Sequence, residues 1–324
     1  MRTSLSTALA MAILASLSLS AALAEEKATV TAVTEEAKGE ETGPEYSRRG
    51  ADTCLGCHDD VAVTNIFMTA HGQPADPRSP FGAGQLQCEA CHGPGGSHVK
   101  LPPRGERRPS VPYWGHDSTA SDAEHSGMCL TCHDKHVGLQ WAGSTHDVED
   151  VNCGECHNPH GRTDPVLKTN LQAMVCYECH LEQKADENKP YAHPIADRRM
   201  ACTSCHAPHG SAADHLLVRN TTNETCYSCH QDKRGPLLWE HAPVTEDCGY
   251  CHRPHGSVHP AMLTQRPPLL CQSCHSQSGH PSVPHGSGGL ADGNPSAYLL
   301  SGSCLNCHSQ VHGSNHPSGV NLSR

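Results

Sequence analysis

The sequence has few of the large apolar side chains from which protein cores are normally built. Its 324 residues include only 2 Phe and 3 Trp, aromatic residues make up 4% of the chain, and 29 Gly and 24 Pro interrupt it. Burial of so little apolar surface does not offset the entropy lost when a backbone of this length becomes ordered. The composition therefore excludes an ordinary globular core and implies that another component holds the chain together.

Long hydrophobic runs are also missing, except at the N terminus. Arg2 precedes a run rich in Leu, Ala and Ser over residues 5–23, and Ala22 and Ala24 form a small-x-small cleavage site. The run is followed by acidic residues and not by a basic stop-transfer cluster, which favours a cleaved secretory signal peptide over a membrane anchor. We therefore expect a signal peptide over residues 1–24 and an exported mature chain that does not itself span lipid.

An excess of basic charge is absent as well. The formal net charge is −11, and no basic stripe offsets it, which excludes nucleic acid as a partner. Residues 25–50 are rich in Glu, Thr, Ala and Lys without apolar periodicity. We interpret them as a flexible acidic N-terminal arm, with a short helix over residues 28–38 as the alternative. Residues 51–324 are the remaining domain.

Cysteine and histidine are abundant, and they occur in one repeated motif. Cys-x-x-Cys-His occurs ten times and accounts for all 20 cysteines. This motif is the attachment signature of c-type haem, in which two thiols bond the vinyl groups and the adjacent histidine binds the iron. The predicted attachment residues are Cys54, Cys57, Cys88, Cys91, Cys129, Cys132, Cys153, Cys156, Cys176, Cys179, Cys202, Cys205, Cys226, Cys229, Cys248, Cys251, Cys271, Cys274, Cys304 and Cys307. The predicted proximal ligands are His58, His92, His133, His157, His180, His206, His230, His252, His275 and His308.

Three other types of site use similar residues. Two cysteines and a histidine could be half of a zinc site, Cys-x-x-Cys could be a redox dithiol, and a secreted cysteine-rich chain could be a disulfide scaffold. None of these explains ten copies with a histidine directly after each second cysteine and no cysteine left over. The sequence therefore predicts ten covalently bound haem c groups.

The second axial ligands are predicted by a longer repeat. The motifs fall into five pairs, which begin at Cys54/Cys88, Cys129/Cys153, Cys176/Cys202, Cys226/Cys248 and Cys271/Cys304. A further histidine follows each motif at a related position, namely His71, His98, His146, His160, His193, His209, His241, His255, His280 or His285, and His312. The mature chain has too few Met for ten irons, so bis-histidine ligation is expected throughout. Five histidines lie outside the repeat and are interpreted as solvated surface residues: His116, His125, His136, His215 and His259.

Chain reach limits which iron some of these histidines can bind. His160, His209 and His255 lie three residues past a motif histidine, and three residues span at most about 10 Å. Such a histidine cannot pass around its own macrocycle, so we expect it to bind a neighbouring haem. Because six-coordinate iron has no open site for a substrate, the pattern predicts electron transfer and not an enzyme.

Little regular secondary structure is expected between the motifs. Each motif should lie on a short helical turn, with Gly and Pro in the connections, and no segment reads as a sheet. Residues 99–128 and 276–303 are predicted to be surface loops. The fold class is a multihaem cytochrome c, mostly coil with short α-helices and little or no β-sheet, built as an elongated series of five two-haem units.

The order of the motifs resembles that of the MtrA/DmsE family of decahaem cytochromes. The resemblance covers about residues 50–324 and includes CLGCH and CEACHGPGGSH in the opening pair, His-x-Pro-His-Gly at residues 157–161, 206–210 and 252–256, and residues 234–248 and 303–319. It supports the distal ligands given above, favours His280 where spacing alone favours His285, and leaves His316 as a second candidate beside His312.

The same resemblance implies a setting for the protein. Members of that family carry electrons inside or against an outer-membrane porin-like barrel of the MtrB type. The resemblance therefore implies localisation in the periplasm with association to the outer membrane, and a periplasmic or inner-membrane cytochrome as donor. An outer-face multihaem cytochrome or reductase would be the other partner. The alternatives are a free periplasmic shuttle or storage cytochrome, and a multihaem reductase, which would require an unusual motif that this sequence lacks.

Overall fold

The computed structural model describes residues 44–114, 118–275, 304–306 and 308–319. The chain divides into two units, Met1–Pro44 and Glu45–Arg324. All the described residues except Pro44 therefore belong to the second unit.

The first residues of the second unit are hydrogen-bonded to the segment around the second motif. The amide of Gly96 donates to the carbonyl of Glu45 at 2.8 Å, and the amide of Ser47 donates to the Glu89 carboxylate at 2.9 Å. Residues 45–50 are thus held against the second motif, whereas the expected flexible arm extended to Gly50. The hydrogen-bonded chain begins earlier than composition alone indicated.

Regular structure in the described residues is short and mostly helical. The α-helices are α1 Ala51–Cys54, α2 Val61–Thr64, α3 Glu89–His92, α4 Asp122–His133, α5 Leu139–Trp141, α6 Thr145–Val148, α7 Cys153–Cys156, α8 Gln172–Cys176, α9 Leu181–Glu187, α10 Thr222–Tyr227, α11 Ala242–Glu246 and α12 Leu269–Gln272. Short 3-10 turns cover Asn65–Met68, Pro165–Leu167, Cys202–Ser204, Asp214–Leu216, Gln231–Lys233, Cys248–Tyr250, Pro260–Met262 and Cys304–Asn306, and a π turn covers Asp134–Gly138. Within these segments every helix is too short or too polar to cross a lipid bilayer.

Helix α4 corrects one prediction. Residues 99–128 were expected to be a surface loop, but α4 begins at Asp122 and carries the third motif at its C-terminal end. A capping box starts the helix: the Glu124 amide donates to the Ser121 hydroxyl at 3.3 Å, and the Ser121 amide donates to the Glu124 carboxylate at 2.7 Å. These bonds satisfy backbone donors that have no partner within the helix.

Strand structure in the described residues is confined to short contacts. Trp239–Glu240 (β1) pairs antiparallel with Gly313–Ser314 (β2), in the register Trp239↔Ser314 and Glu240↔Gly313. Three isolated bridges join Tyr191 to Ser257, His206 to Leu217 and His252 to Leu263. The prediction of a mostly coil chain with short helices and little or no sheet is confirmed.

Buried polar side chains join the two motifs of a pair where an apolar core would otherwise do so. The buried apolar residues of the described chain are only Ala51, Ile66, Trp141, Ile195 and Ala201. The buried Asn152 amide donates to Asp122 Oδ1 at 2.7 Å and so ties α7 to α4. Gln172 and Asn223 make the corresponding bonds in the next two pairs, by accepting from the Thr203 amide at 3.0 Å and the Cys248 amide at 2.7 Å.

Candidate haem centres

Each motif folds as one turn of chain. In nine of the ten motifs the amide of the histidine donates to the carbonyl of the first cysteine at 2.8–3.0 Å, and the remaining motif, at Cys129, lies inside α4. The bond spans four residues, which is one helical turn. Such a turn holds both thiols and the imidazole at one side of a planar group, as covalent haem attachment requires.

The described motif histidines face predicted distal histidines in nine pairs. The ring centroids of each pair lie 6.0–6.3 Å apart. The pairs, in the order of the motifs, are His58–His98, His92–His160, His133–His71, His157–His209, His180–His146, His206–His255, His230–His193, His252–His312 and His275–His241.

This spacing fits an iron ion between two imidazoles. A histidine nitrogen binds a first-row metal at about 2 Å, so two rings on opposite sides of one ion have centroids about 6 Å apart. In the part of the chain that the structure describes, no group of three or more His, Cys, Asp or Glu side chains converges as a metal site. Two imidazoles at this spacing, one of which follows two cysteines in the same turn of chain, are residues that fit a haem.

The three histidines that lie three residues past a motif histidine each face the histidine of a different motif. His160 faces His92, His209 faces His157 and His255 faces His206. In all three cases the facing histidine belongs to the motif two places earlier in the chain. This is the arrangement that the limited reach of three residues predicts.

Hydrogen bonds fix the orientation of these rings. In nine of the histidines, Nδ1–H donates to an oxygen at 2.7–3.1 Å, which leaves Nε2 as the unprotonated nitrogen. The acceptors, with their donors, are Pro112 (His92), Pro109 (His98), Pro208 (His146), Val63 (His160), Pro254 (His193), His215 (His206), Val311 (His241) and Ala261 (His252) through their carbonyls, and Asp164 (His157) through its carboxylate.

Burial favours the neutral imidazole in several members of the set. Loss of solvent, followed by the charge of the facing or a nearby histidine or of another basic group, lowers the pKa of His71, His209, His255 and His312. Burial also lowers the pKa of His92, against a hydrogen bond from its ring to Pro112. Neutral imidazole is the form that binds a metal.

Contacts between cysteines order the motifs along the chain. Within each pair the thiols of the first cysteines shift each other's pKa, as close neighbours do: Cys54 with Cys88, Cys129 with Cys153, Cys176 with Cys202, Cys226 with Cys248 and Cys271 with Cys304. Between pairs, the second cysteines are neighbours. Burial is the main cause that raises the pKa of Cys91, Cys156, Cys205 and Cys251, and the thiols of Cys132, Cys179, Cys229 and Cys274 raise it further. Successive motifs are thus neighbours in sequence order.

The remaining predicted residues have other positions. Cys307, His280, His285 and His116, together with the side chain of His136, lie outside the described parts. His316 donates to or accepts from Ser318 Oγ through Nδ1 at 2.7 Å. His125 was expected to be a solvated surface residue, but it is 4% exposed, lies 5.1 Å from the Trp114 ring and bonds to Ser118. His215 is exposed and His259 is half-buried.

Sequence reasoning missed the residues that orient the ligands. The carbonyl acceptors leave no mark in the sequence, because any residue can supply a carbonyl. Asp164, the carboxylate acceptor, lies seven residues past His157, in a position where the corresponding segments after His206 and His252 have Ala213 and His259. No repeat therefore pointed to it.

Comparison with known proteins shows the family to which the chain belongs. The family described as the doubled CXXCH motif matches residues 146–185, 193–235 and 241–280. Over 282 residues the chain is 49% identical to the multiheme cytochrome MtrA of Shewanella baltica (strain OS185), which covers 86% of this chain and 83% of that protein. The chain belongs to the MtrA family of multihaem cytochromes. The identification of that family from the motifs is confirmed.

A second similar protein is more distant from this chain. The chain is 25% identical over 208 residues to the C-type polyheme cytochrome OmcB of Geobacter sulfurreducens, which covers 56% of this chain but only 25% of OmcB. Membership of the MtrA family makes this chain a c-type cytochrome with covalently bound haem that transfers electrons and is not an enzyme. It also indicates association with the periplasm and the outer membrane.

Proposed function

We propose that the chain carries ten haems and conducts electrons between periplasmic carriers and a redox partner at or beyond the outer membrane. The observation that supports this most directly is the series of nine facing histidine pairs, together with the proximity of cysteines from successive motifs along the chain. The tenth centre is assigned to Cys304, Cys307 and His308, with His280 as its distal ligand.

Each residue set has its own task in this proposal. A bound haem supplies one-electron redox chemistry. The 20 cysteines hold the ten macrocycles in a fixed order, and the ten motif histidines fill the proximal positions. The distal histidines close the other side, so that no position remains for a substrate. Because nine distal or proximal rings are oriented by Nδ1 hydrogen bonds, the protein itself orients these ligands.

The proposal includes a protein sheath around the cytochrome. The chain has a formal charge of −11 and few large apolar residues, and exposed charge and unsatisfied backbone are costly in lipid. Passage through a membrane would therefore require a barrel, for which a porin-like partner of the MtrB type is proposed. Residues 1–24 are proposed to be a signal peptide that is cleaved after Ala24.

Mass spectrometry tests the number of haems. The mature protein should carry ten haem masses and no free thiol. The first cysteines of each pair are neighbours, so disulfides between them are the competing outcome. A mass with nine or fewer haems, or a bond between Cys129 and Cys153, would contradict the proposal.

Electron transfer across a vesicle wall tests the conduit. Liposomes with a trapped redox dye receive an external reductant, and the dye should be reduced only when the cytochrome and a correctly inserted barrel are both present. Vesicles with the barrel alone are the first control. A variant with Cys202→Ala and Cys205→Ala, which lacks a haem in the middle of the series, should block dye reduction. If the complete pair fails to reduce the dye, a free periplasmic shuttle replaces this proposal.

A further inference from the structure

Three motif histidines share the sequence His-x-Pro-His-Gly, and two of them have the same hydrogen bond. Nδ1–H of His206 donates to the carbonyl of His215 at 2.8 Å, and Nδ1–H of His252 donates to the carbonyl of Ala261 at 2.8 Å. In both repeats the acceptor lies nine residues past the donor. A backbone carbonyl is a neutral acceptor, so this bond brings no negative charge to either ring.

In each of these two repeats, a loop that follows the motif presents the carbonyl. His215 and Ala261 have φ values of 56° and 55°, and the residues that follow them are also left-handed. The loop is tied back to the motif, since the Val218 amide donates to the Cys205 carbonyl at 2.9 Å and the Thr264 amide donates to the Cys251 carbonyl at 2.8 Å. The neutral acceptor is therefore held in place by backbone that adopts an unfavourable conformation.

The third repeat of this type uses a charged acceptor. Nδ1–H of His157 donates to Asp164 Oδ2 at 2.8 Å. The Asp164 side chain is 15% exposed, and its second oxygen, Oδ1, is buried without a hydrogen-bond partner among the described residues. The negative charge is thus shared with His157 and with no other described donor. Of the nine Nδ1 contacts that the paired histidines make, this is the one with a carboxylate.

We infer that Asp164 is a positioning residue that lowers the reduction potential of the iron between His157 and His209, relative to the centres at His206 and His252. The inference rests on the proposed haem ligation. A carboxylate acceptor draws the Nδ1 proton and makes the imidazole a stronger donor to the metal. A fixed negative charge beside the centre also favours Fe(III) over Fe(II), because the oxidised centre carries one more positive charge.

The consequence for electron flow is specific to the fourth position. With a haem bound there, reduction would add one electron from a neighbouring centre to Fe(III) and give Fe(II), while the proton would stay between Nδ1 of His157 and Asp164. A centre of lower potential than its equivalents is reduced last and passes its electron on most readily. The fourth position is thereby a step in the series that electrons cross without accumulating.

Redox titration of the complete ten-haem protein tests the inference. Asp164→Asn keeps the shape and the hydrogen bond but removes the charge. In Asp164→Asn, one-tenth of the haem absorbance should titrate at a potential about 59 mV higher. This shift corresponds to about a tenfold change in the one-electron equilibrium between that haem and the others. Asp197→Asn, which removes an exposed carboxylate, is the matched control and should leave every potential unchanged. Asp164→Glu should retain most of the low potential.

Deletion of the fourth haem identifies the centre that responds. In a Cys153→Ala, Cys156→Ala background, Asp164→Asn should shift nothing. Unchanged potentials in a low-spin, ten-haem Asp164→Asn protein would overturn the inference, as would a shift that persists in the deletion background. Fewer than ten haems in the parent protein, or a large high-spin signal in its electron paramagnetic resonance spectrum, would overturn the proposed function instead.

Discussion

The imidazoles of His252 and His312 lie face to face, with centroids 6.2 Å apart and ring planes 11° apart. The first belongs to the eighth motif, whereas the second follows the tenth. The segment around His312 makes further contacts with the same region: the carbonyl of Val311 accepts from Nδ1 of His241 at 3.0 Å, and β2 pairs with β1. The C-terminal segment therefore returns to motifs that lie much earlier in the chain.

Replacement of His312 should open one centre. In His312→Ala the iron of the eighth motif loses its distal ligand, so about one-tenth of the haem should become high-spin and bind carbon monoxide when reduced. The measurement is electron paramagnetic resonance of the oxidised protein and carbon monoxide titration of the reduced protein. His316→Ala is the matched control, because the His316 ring contacts Ser318 at 2.7 Å. A high-spin signal in the control and none in His312→Ala would reverse the assignment.

His209 should bind the iron of the fourth motif and not that of its own, the sixth. His209→Ala should make one haem high-spin, because the ring that faces His157 is removed. The same substitution should have no further effect when Cys153→Ala and Cys156→Ala have already removed the fourth haem. In a Cys202→Ala, Cys205→Ala background the high-spin signal should persist. The opposite pattern would show that His209 binds its own haem.

Gly256 should tolerate no side chain. Its φ is +152°, and a Cβ at this position would lie 2.0 Å from the carbonyl oxygen of Asp186. We expect Gly256→Ala to lower the free energy of unfolding by about 2–4 kcal/mol and to disturb the adjacent His255. Denaturant unfolding followed by near-UV circular dichroism measures the change.

Gly127 provides the control for that substitution. It is exposed within α4, and a Cβ there would have no neighbour within 4 Å. Alanine is favoured over glycine in a helix interior, so Gly127→Ala should raise the free energy of unfolding by about 0.5–1 kcal/mol. Equal effects of the two substitutions would argue against the close packing around Gly256.

Most of the candidate site follows from the sequence because covalent chemistry restricts it. Two thioethers and one imidazole on a single macrocycle force each motif into one turn, and the structure has such turns at Cys153 and Cys176. Reach alone predicted that His160 faces another motif, but it did not give His92 as that partner. The choice among neighbours depends on how loops of different length pack.

Other features depend on contacts that no repeat marks. The Ser121–Glu124 capping box was present in the sequence as a helix start, yet the Pro- and Arg-rich composition before it favoured a loop. The left-handed backbone at Ala261 carries no glycine or asparagine to indicate it. Asp164 is one acidic residue among 34 Asp and Glu in the chain, and only the fold places it against His157.

Glu187 should make the protein less stable as the pH rises. The residue is 5% exposed, its carboxylate accepts a hydrogen bond from the Tyr177 hydroxyl, and burial raises its pKa to about 7. The folded state therefore favours the protonated acid, whereas the unfolded chain loses this proton near pH 4.3. The stability that this group contributes is complete below about pH 4.3 and is lost as the pH rises through about 7.

Glu187→Gln should thus raise the free energy of unfolding at pH 8 by about 1–2 kcal/mol and have little effect at pH 4. Thermal unfolding of both proteins at several pH values measures the difference, with Glu182→Gln, an exposed position of α9, as the control. A benefit of Glu187→Gln that is the same at pH 4 and pH 8 would contradict the raised pKa.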